Sequence, residues 1–193
     1  MNLKHTLLAL GLATACGGLA VAPATLAAVP DGTITFTGSV TAATCTIKGP
    51  TSSGSNNFTV ALPTVSANSL TANGTGAYTP SATAFTMTLS GCPAGARVGA
   101  QFYSAANADT TTGNGTLMNT GVAGVDVQLL NSGGTAVTIG TAAPVGNANV
   151  TDQTTVASGG ATLAYSAQYY ATSAYAGAGG AVSTTVNYVI NYQ

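Results

Sequence analysis

The sequence contains very few charged residues. Of its 193 residues, three are Lys or Arg and four are Asp or Glu, while Trp and Glu are both absent. Binding to nucleic acid needs several clustered cations that neutralise phosphates, so this composition excludes an electrostatic interaction of that kind. Disordered chains are usually highly charged and poor in β-branched residues, and this chain has neither property. The composition indicates a folded domain with an uncharged polar surface.

The residues of most catalytic sites are also scarce. General acid–base catalysis needs His, a paired carboxylate or a tuned Lys, and the single His, His5, lies near the N-terminus. The four Asp residues are scattered, and Asp126 within VDVQ is predicted to be exposed on a strand. Lys48 is interpreted as a solvated side chain rather than as the base of a Ser–Lys dyad. We expect no enzyme, no cofactor and no small-molecule substrate.

Two weaker signals for ligand binding point the same way. The GAGG sequence at 177–180 lacks the Lys and the Ser or Thr of a phosphate-binding loop, and a strand is predicted after it. Asp109 and Asp152 do not have the spacing of a known calcium-binding loop. We interpret the glycine-rich segment as a flexible turn and predict no metal site.

The first residues are typical of an export signal. Lys4 and His5 precede an apolar stretch, and small residues follow at a position that suits cleavage after Ala27 or Ala28. The apolar stretch is too short and too rich in Gly for a convincing membrane span. The sequence predicts a signal peptide at 1–28; lipid attachment at Cys16 is the alternative, although Ala13 stands where a lipoprotein box usually has Leu.

Two cysteines remain after this cleavage, Cys45 and Cys92. In an exported protein an isolated pair of cysteines indicates a disulfide. The alternative is a metal site, but the remaining chain has no His and no third Cys to complete one. We therefore predict a disulfide between Cys45 and Cys92.

Apolar and polar residues alternate along most of the chain, which is typical of half-buried strands. Turn signals such as Asn73-Gly74, Gly133-Gly134 and Gly159-Gly160 separate these segments. No window has a sustained helical stripe, and 64–82 and 141–158 are predicted to be loops or poorly paired edges. Many short strands at this spacing predict an all-β sandwich. The predicted strands are 33–40, 41–48, 56–62, 84–92, 97–104, 115–120, 123–131, 135–140, 161–172 and 181–193.

The last predicted strand ends at Gln193, the final residue. Its apolar side chains, which we predict to share one face, are Val186, Tyr188, Ile190 and Tyr192. An apolar edge strand left bare would pair with other chains and aggregate. The sequence therefore raises the question of what covers the far edge of this strand.

Four features, which follow one another along the chain, resemble a bacterial fimbrial subunit of the chaperone–usher type, specifically a type 1-like major pilin. Gly32, Ile34, Phe36 and Gly38 precede Cys45 as in the N-terminal extension of such pilins. AFTMTLSGCP resembles the segment of the second Cys, and GVDVQLLNSGGTAV the middle strand and turn. LAYSAQYYAT and VNYVINYQ are similar to the closing strands.

The resemblance implies an all-β, incomplete immunoglobulin-like β-sandwich (the pilin fold) that lacks its final strand. It also implies an N-terminal donor-strand extension at 29–38, ahead of a pilin domain at 39–193. The last strand then borders an open groove, which a periplasmic chaperone fills before the next subunit does, and an outer-membrane usher assembles the polymer. Residues Val186, Tyr188, Ile190 and Tyr192 would face the groove, with the Gln193 carboxylate as the chaperone's anchor.

The extension has the pattern that such a donor strand needs. Pro30, Gly32, Ile34 and Phe36 fall on one face and three Thr residues on the other. Ile34 and Phe36 would supply most of the binding energy, at about 1.5–3 kcal/mol per fully buried side chain. Gly32 would mark a close approach of two backbones, and Pro30 lies at the end of the strand, where its missing N–H is tolerated.

The resemblance also implies a location and a set of partners. The protein is expected to pass through the periplasm to the cell surface, to join other pilin subunits in a homopolymeric fimbria and to support cell adhesion. Alternatives are a minor tip-adaptor pilin and a self-contained exported immunoglobulin-like binding module. In the last case VPDGTITFTG would be the first strand of a closed sandwich.

Overall fold

Short strands account for most of the secondary structure. The computed structural model describes residues 45–50, 56–112, 115–146, 150 and 152–193, all of which lie in the compact unit Thr41–Gln193. The predicted signal peptide, the donor extension and the strand at 33–40 lie outside these residues. The strands are β1 (Thr46–Lys48), β2 (Gly76–Ser90), β3 (Arg97–Tyr103), β4 (Ala108–Asp109), β5 (Thr116–Met118), β6 (Val125–Asn131), β7 (Ile139–Gly140), β8 (Thr154–Thr155), β9 (Gly160–Ala171) and β10 (Asn187–Tyr192).

The strands form two sheets. The larger sheet has the order β1-β2-β9-β6-β5-β4, and all of its neighbouring strands are antiparallel. The smaller sheet has the order β10-β3-β7, with β8 also paired to β3. Strand β10 is antiparallel to β3 over six residue pairs, from Asn187 opposite Tyr103 to Tyr192 opposite Val98. Thus β10 has β3 on one edge and no described strand on the other.

The core contains side chains of both sheets. As the alternation in AFTMTLSGC predicts, Phe85, Met87 and Leu89 are all buried, with exposed fractions of 7%, 0% and 1%. From the smaller sheet, Phe102 meets Tyr165 of β9 edge-on, with ring centroids 5.0 Å apart. Burial of each such side chain contributes roughly 1.5–3 kcal/mol. The inward faces of β2, β3 and β9 therefore supply the main stabilising contacts between the sheets.

The predicted disulfide joins Cys45 to Cys92, with a sulfur–sulfur distance of 1.99 Å. Cys45 directly precedes β1, and Cys92 lies just beyond the end of β2. The two strands are antiparallel neighbours, with Thr46 opposite Ser90. The bond therefore ties the edge strand β1 to the long strand that carries much of the core.

The segment 64–82 differs from the prediction of a loop or poorly paired edge. It contains a helix, α1 (Ala67–Asn73), and the start of β2. Ser66 caps the helix by accepting a hydrogen bond from Ser69 N at 3.0 Å. Only Leu70 of the helix is buried, so a helix of this length has no apolar stripe for a sequence pattern to detect.

Strand β2 also begins earlier than its alternation indicates. The register between β2 and β9 shifts between Tyr78 and Thr83, around Pro80, which cannot donate to a ladder. At this irregularity the Ser81 hydroxyl accepts from Tyr169 N at 2.8 Å and donates to Tyr78 O at 2.7 Å. A buried side chain thus completes hydrogen bonds at the irregularity, which is why the strand continues past it.

No helix in the described residues is long and apolar enough to cross a membrane.

Candidate functional site

A groove of about 730 Å³ runs between two segments that are far apart in the sequence, 56–62 and 182–188. Its floor is formed by apolar side chains from both sheets. The floor residues are Phe85, Phe102, Leu117, Val127, Leu129, Ala167 and Tyr169. Below, "the groove" means this cavity, and 56–62 and 182–188 are its first and second walls.

The first wall was predicted to be a strand, but it forms no strand ladder with any described residue. Phe58, Val60 and Leu62 are half-buried and pack against the core, whereas the intervening Thr59 and Ala61 are exposed. The alternation in NNFTVAL therefore gives the correct faces but not the hydrogen bonding.

The second wall is hydrogen-bonded to the larger sheet and its loops. Asn107 Nδ2 donates to Thr185 O at 3.0 Å, and the Thr184 hydroxyl donates to Met118 O at 2.7 Å. Ladder pairing to β3 begins only at Asn187. The predicted strand at 181–193 is thus a strand only in its second half, because β3 ends at Tyr103, the residue opposite Asn187.

One end of the groove is crossed by a tyrosine. The Tyr188 hydroxyl donates to Asn56 O at 2.6 Å and so joins the second wall to the first. The Tyr188 ring lies 6.2 Å from that of Phe58 and 6.5 Å from that of Phe102, centroid to centroid. Burial raises the pKa of Tyr188. The aromatic cluster therefore closes the groove at the end where β10 begins.

The structure separates the residues predicted to face the groove into two sets. All four apolar side chains of the last strand pack against the core, but only Val186 and Tyr188 line the groove. Ile190 and Tyr192 lie beyond it, and the Tyr192 hydroxyl accepts from Cys45 N at 3.2 Å. The alternation of these four residues is set by the strand itself. Where the groove ends depends on the position of the first wall, which is distant in the sequence, so the pattern cannot distinguish the two sets.

The last residue is fixed at its backbone. Gln193 is exposed, and it exchanges two backbone hydrogen bonds of 2.8 Å with Arg97. Pro30, Gly32, Ile34 and Phe36, the predicted donor-strand residues, lie outside the described residues. The role of Gln193 as an anchor for a chaperone remains a prediction.

Sequence reasoning missed the residues that make the groove a cavity. Leu117 and Leu129 come from β5 and β6 of the larger sheet, while Phe58 comes from a segment predicted to be an ordinary strand. Each shows the expected apolar alternation. No local signal indicates that these segments leave a space between them, since that depends on how the two sheets are placed.

A second cavity, of about 600 Å³, lies on the larger sheet and is lined by both polar and apolar residues. We call it the carboxyl pocket, because Asp109 of β4 and Asp126 of β6 both line it. The prediction that Asp126 is exposed is wrong, since its exposed fraction is 5%. It does lie on the side of β6 away from the core, but there it lines the carboxyl pocket together with residues of the loops after β4 and β9. The prediction that the Asp residues are scattered is also wrong for this pair, since both side chains line the same pocket.

The pKa values of the two carboxyl groups shift in opposite directions. Burial raises the pKa of Asp126 to about 6. Hydrogen bonding to Asp109 and the negative charge of that group act in the same direction, whereas the Thr116 hydroxyl lowers the pKa. Burial also acts on Asp109, but hydrogen bonds from Thr111 outweigh it, so the pKa of Asp109 is lowered. No group of three or more His, Cys, Asp or Glu in the described part of the chain could hold a metal ion.

Comparisons with known proteins give one consistent family. A family model described as fimbrial protein matches residues 34–193. The F17 fimbrial protein of Escherichia coli is 42% identical over 186 residues, which cover 92% of this chain and 96% of that protein. The major fimbrial subunit SMF-1 of Stenotrophomonas maltophilia (strain K279a) is 41% identical over 181 residues, covering 90% and 99%.

Solved structures share the fold at lower identity. The crystal structure of the P pilus rod subunit PapA superposes with a TM-score of 0.59 at 20% identity, covering 77% of this chain and 99% of that chain. A chain from a chaperone–usher pilus structure concerned with rod uncoiling superposes with a TM-score of 0.57 at 20% identity, covering 86% and 99%. These likenesses confirm the predicted immunoglobulin-like pilin fold. Taken with the family match over most of its length, they show that the chain belongs to the fimbrial protein family and is a structural subunit of a surface fimbria.

Proposed function

We propose that this subunit polymerises by donor-strand exchange, in which residues 30–36 of one copy fill the groove of the next. The observation that carries the proposal is the groove itself, whose two walls have no strand partner across it in the described residues. Donor-strand complementation is a known case of strand addition to an exposed sheet edge, in which backbone hydrogen bonds supply affinity and alternate side chains fill pockets. A strand placed here would complete both the ladder and the core.

The dimensions support a strand as the occupant. Each wall spans as many residues as the segment 30–36 does. The floor is apolar, while the Thr side chains on the other face of the donor would point to solvent. Burial of Ile34 and Phe36 would contribute about 1.5–3 kcal/mol each.

Because the edge of β10 is unpaired in the described residues, we expect a partner to cover it at every stage of assembly. An exposed apolar edge next to an open groove would associate with other chains without order. A periplasmic chaperone would cover the edge first, with the backbone-fixed Gln193 at the end of its contact, and the donor strand of the next subunit would replace it. An outer-membrane usher would be the site of that exchange.

The proposal includes the domain boundaries and excludes catalysis. Residues 1–28 would be removed as a signal peptide, 29–38 would be the donor extension and 39–193 the acceptor domain. Membership in a family of structural proteins supports a non-enzymatic role. The paired carboxyl groups would then serve the fold rather than a reaction.

Disulfide trapping tests the exchange in the full chain. The native cysteines are already paired with each other, so one new Cys in the donor and one in the groove floor report their contact. We expect Ile34→Cys with Leu117→Cys or Val127→Cys, after oxidation, to give a ladder of covalent oligomers on a non-reducing gel. As a matched control, Thr35→Cys, on the opposite face of the donor, should give little cross-linking.

Two outcomes would contradict the proposal. A cross-link that forms only within the monomer would mean that the extension fills the groove of its own chain, as in the self-contained module. Absence of cross-linking at every floor position, in protein that still forms fimbriae, would mean that the groove is not the acceptor.

A further inference from the structure

The carboxyl pocket brings together two groups that are acceptors when ionised. Strand β4 pairs with β5 through Asp109 opposite Thr116, and β5 pairs with β6 through Met118 opposite Asp126. Both carboxyl groups thereby reach the face of the sheet away from the core, where they line the same pocket. A hydrogen bond between them requires that one keeps its proton, since two carboxylates carry no donor.

The surroundings assign the proton to Asp126. Its Oδ2 atom is buried and has no donor as a partner. By contrast, Asp109 Oδ1 accepts from Thr111 N at 2.7 Å and from the Thr111 hydroxyl at 2.6 Å. These two donors stabilise Asp109 as a carboxylate. Asp126 has one side-chain donor, the Thr116 hydroxyl, so a carboxylate there would leave its buried Oδ2 atom without a partner.

No positive charge is present to compensate for two ionised groups. The titratable groups that face Asp126 are Asp109 from β4 and Tyr170 from β9, which lies directly opposite it in the ladder. Strand β5 contributes only the Thr116 hydroxyl and Met118. Lys48 and Arg97, the cations among the described residues, lie on β1 and β3 and do not line the pocket.

We propose that Asp109 and Asp126 share a single proton, and that this proton makes the folded protein more stable in mild acid than at neutral pH. When Asp126 is protonated, its O–H donates to Asp109 and holds β4 against the rest of the sheet. When it ionises, two buried or half-buried carboxylates repel each other across the same edge. Below the pKa of Asp109 the shared bond is lost as well, because that group also becomes protonated.

The direction of the pH dependence follows from the two groups. The folded protein binds a proton at Asp126 more tightly than the unfolded chain does, so stability decreases as the pH rises from about 4 to about 6. Asp109 is shifted the other way, so its contribution is lost as the pH falls below its ordinary value of 3.8. Stability should therefore be greatest near pH 4.

The first measurement is the titration of the Asp carboxyl carbons by NMR in the processed full-length protein, with all variants compared in one assembly state. We expect one carboxyl group to titrate with a midpoint near 6, and this signal to be absent in Asp126→Asn. If every Asp in the folded protein titrates below about 4.5, in the range of an ordinary carboxyl group, the proposal is overturned.

The second measurement is the denaturant midpoint at pH 5 and pH 7.5. The wild-type midpoint should be higher at pH 5, and Asp126→Asn, whose amide can donate to Asp109, should raise the pH 7.5 midpoint and remove most of the difference. The control is Asp152→Asn, which removes a carboxylate that accepts from Ser132 elsewhere on the surface and should leave the pH dependence unchanged. Asp109→Asn provides a second variant, which should also weaken the dependence.

Two results would reject the proposal. One is a wild-type midpoint at pH 7.5 equal to or higher than that at pH 5. The other is a rise in the pH 7.5 midpoint on addition of millimolar CaCl₂ or MgCl₂ that Asp126→Asn abolishes, because the pair would then be a cation site rather than a proton site.

Discussion

Strand β6 borders both cavities of the molecule, and its two faces differ in how they are completed. Val127 and Leu129 point into the groove, where no strand of the described residues covers the apolar floor. Asp126 and Gln128 point to the other side, where each finds polar partners within the chain, such as the hydrogen bond of 2.8 Å from Gln168 Nε2 to Gln128 Oε1. A polar group needs only one hydrogen-bond partner nearby. An apolar floor is removed from water only when several side chains, such as those of a whole strand, cover it.

This difference between the two faces of β6 suggests that separate residues determine polymer assembly and the stability of the single domain. If the groove awaits a second chain, changes in the donor or the floor should alter polymer formation, and changes on the polar side should alter only the isolated domain. Variants of each kind test whether polymer formation and domain stability depend on separate residues.

The largest effect is expected from the donor strand. Replacing both Ile34 and Phe36 with Asp places two charges against the apolar floor and removes about 3–6 kcal/mol of burial per junction. We expect fimbriae to disappear from the cell surface in electron micrographs. The matched double variant Thr33→Asp with Thr35→Asp, which alters the solvent face, should still assemble. Equal loss of fimbriae in both double variants would show that burial of Ile34 and Phe36 does not drive assembly.

A smaller effect is expected from the floor of the groove. Leu129→Ala removes a side chain that is only 4% exposed and should destabilise the domain by about 2–5 kcal/mol. It should also weaken binding of a synthetic peptide of residues 29–40, measured as a reduced rise in melting temperature. The neighbouring Leu130 points to the other side and is half-buried, so Leu130→Ala should cost less and leave the peptide effect intact.

The smallest effect is expected at the end of the groove. Tyr188→Phe removes the hydrogen bond to Asn56 O and should lower stability by about 0.5–1.5 kcal/mol. Because this bond joins the two walls, its loss should also speed entry of the same peptide in a stopped-flow fluorescence assay. Tyr175→Phe removes a comparable hydroxyl bond, to Ala178 O at 3.1 Å, away from the groove. Equal acceleration by both variants would show that the hydrogen bond of Tyr188 does not restrict entry of the peptide into the groove.

Features with a local period could be predicted from the sequence. In β9 and in the second half of β2 every second side chain enters the core, because successive residues of a strand point to opposite faces. The predicted bounds of β9 differ from those observed by one residue at each end. The disulfide followed from the number of cysteines and the export signal. The short helix α1 was missed, since one buried Leu forms no pattern.

Features that depend on the placement of distant segments could not be predicted in the same way. The walls of the groove, 56–62 and 182–188, carry the alternation of strands, but which of their edges remain without partners depends on the positions of both sheets. Asp109 and Asp126 become neighbours only through the registers of β4, β5 and β6. The sequence by itself determined which side chains point inward, because that is set by backbone geometry over a few residues; the tertiary structure alone decided where the core stays open and where two carboxyl groups meet, because both depend on contacts between remote strands.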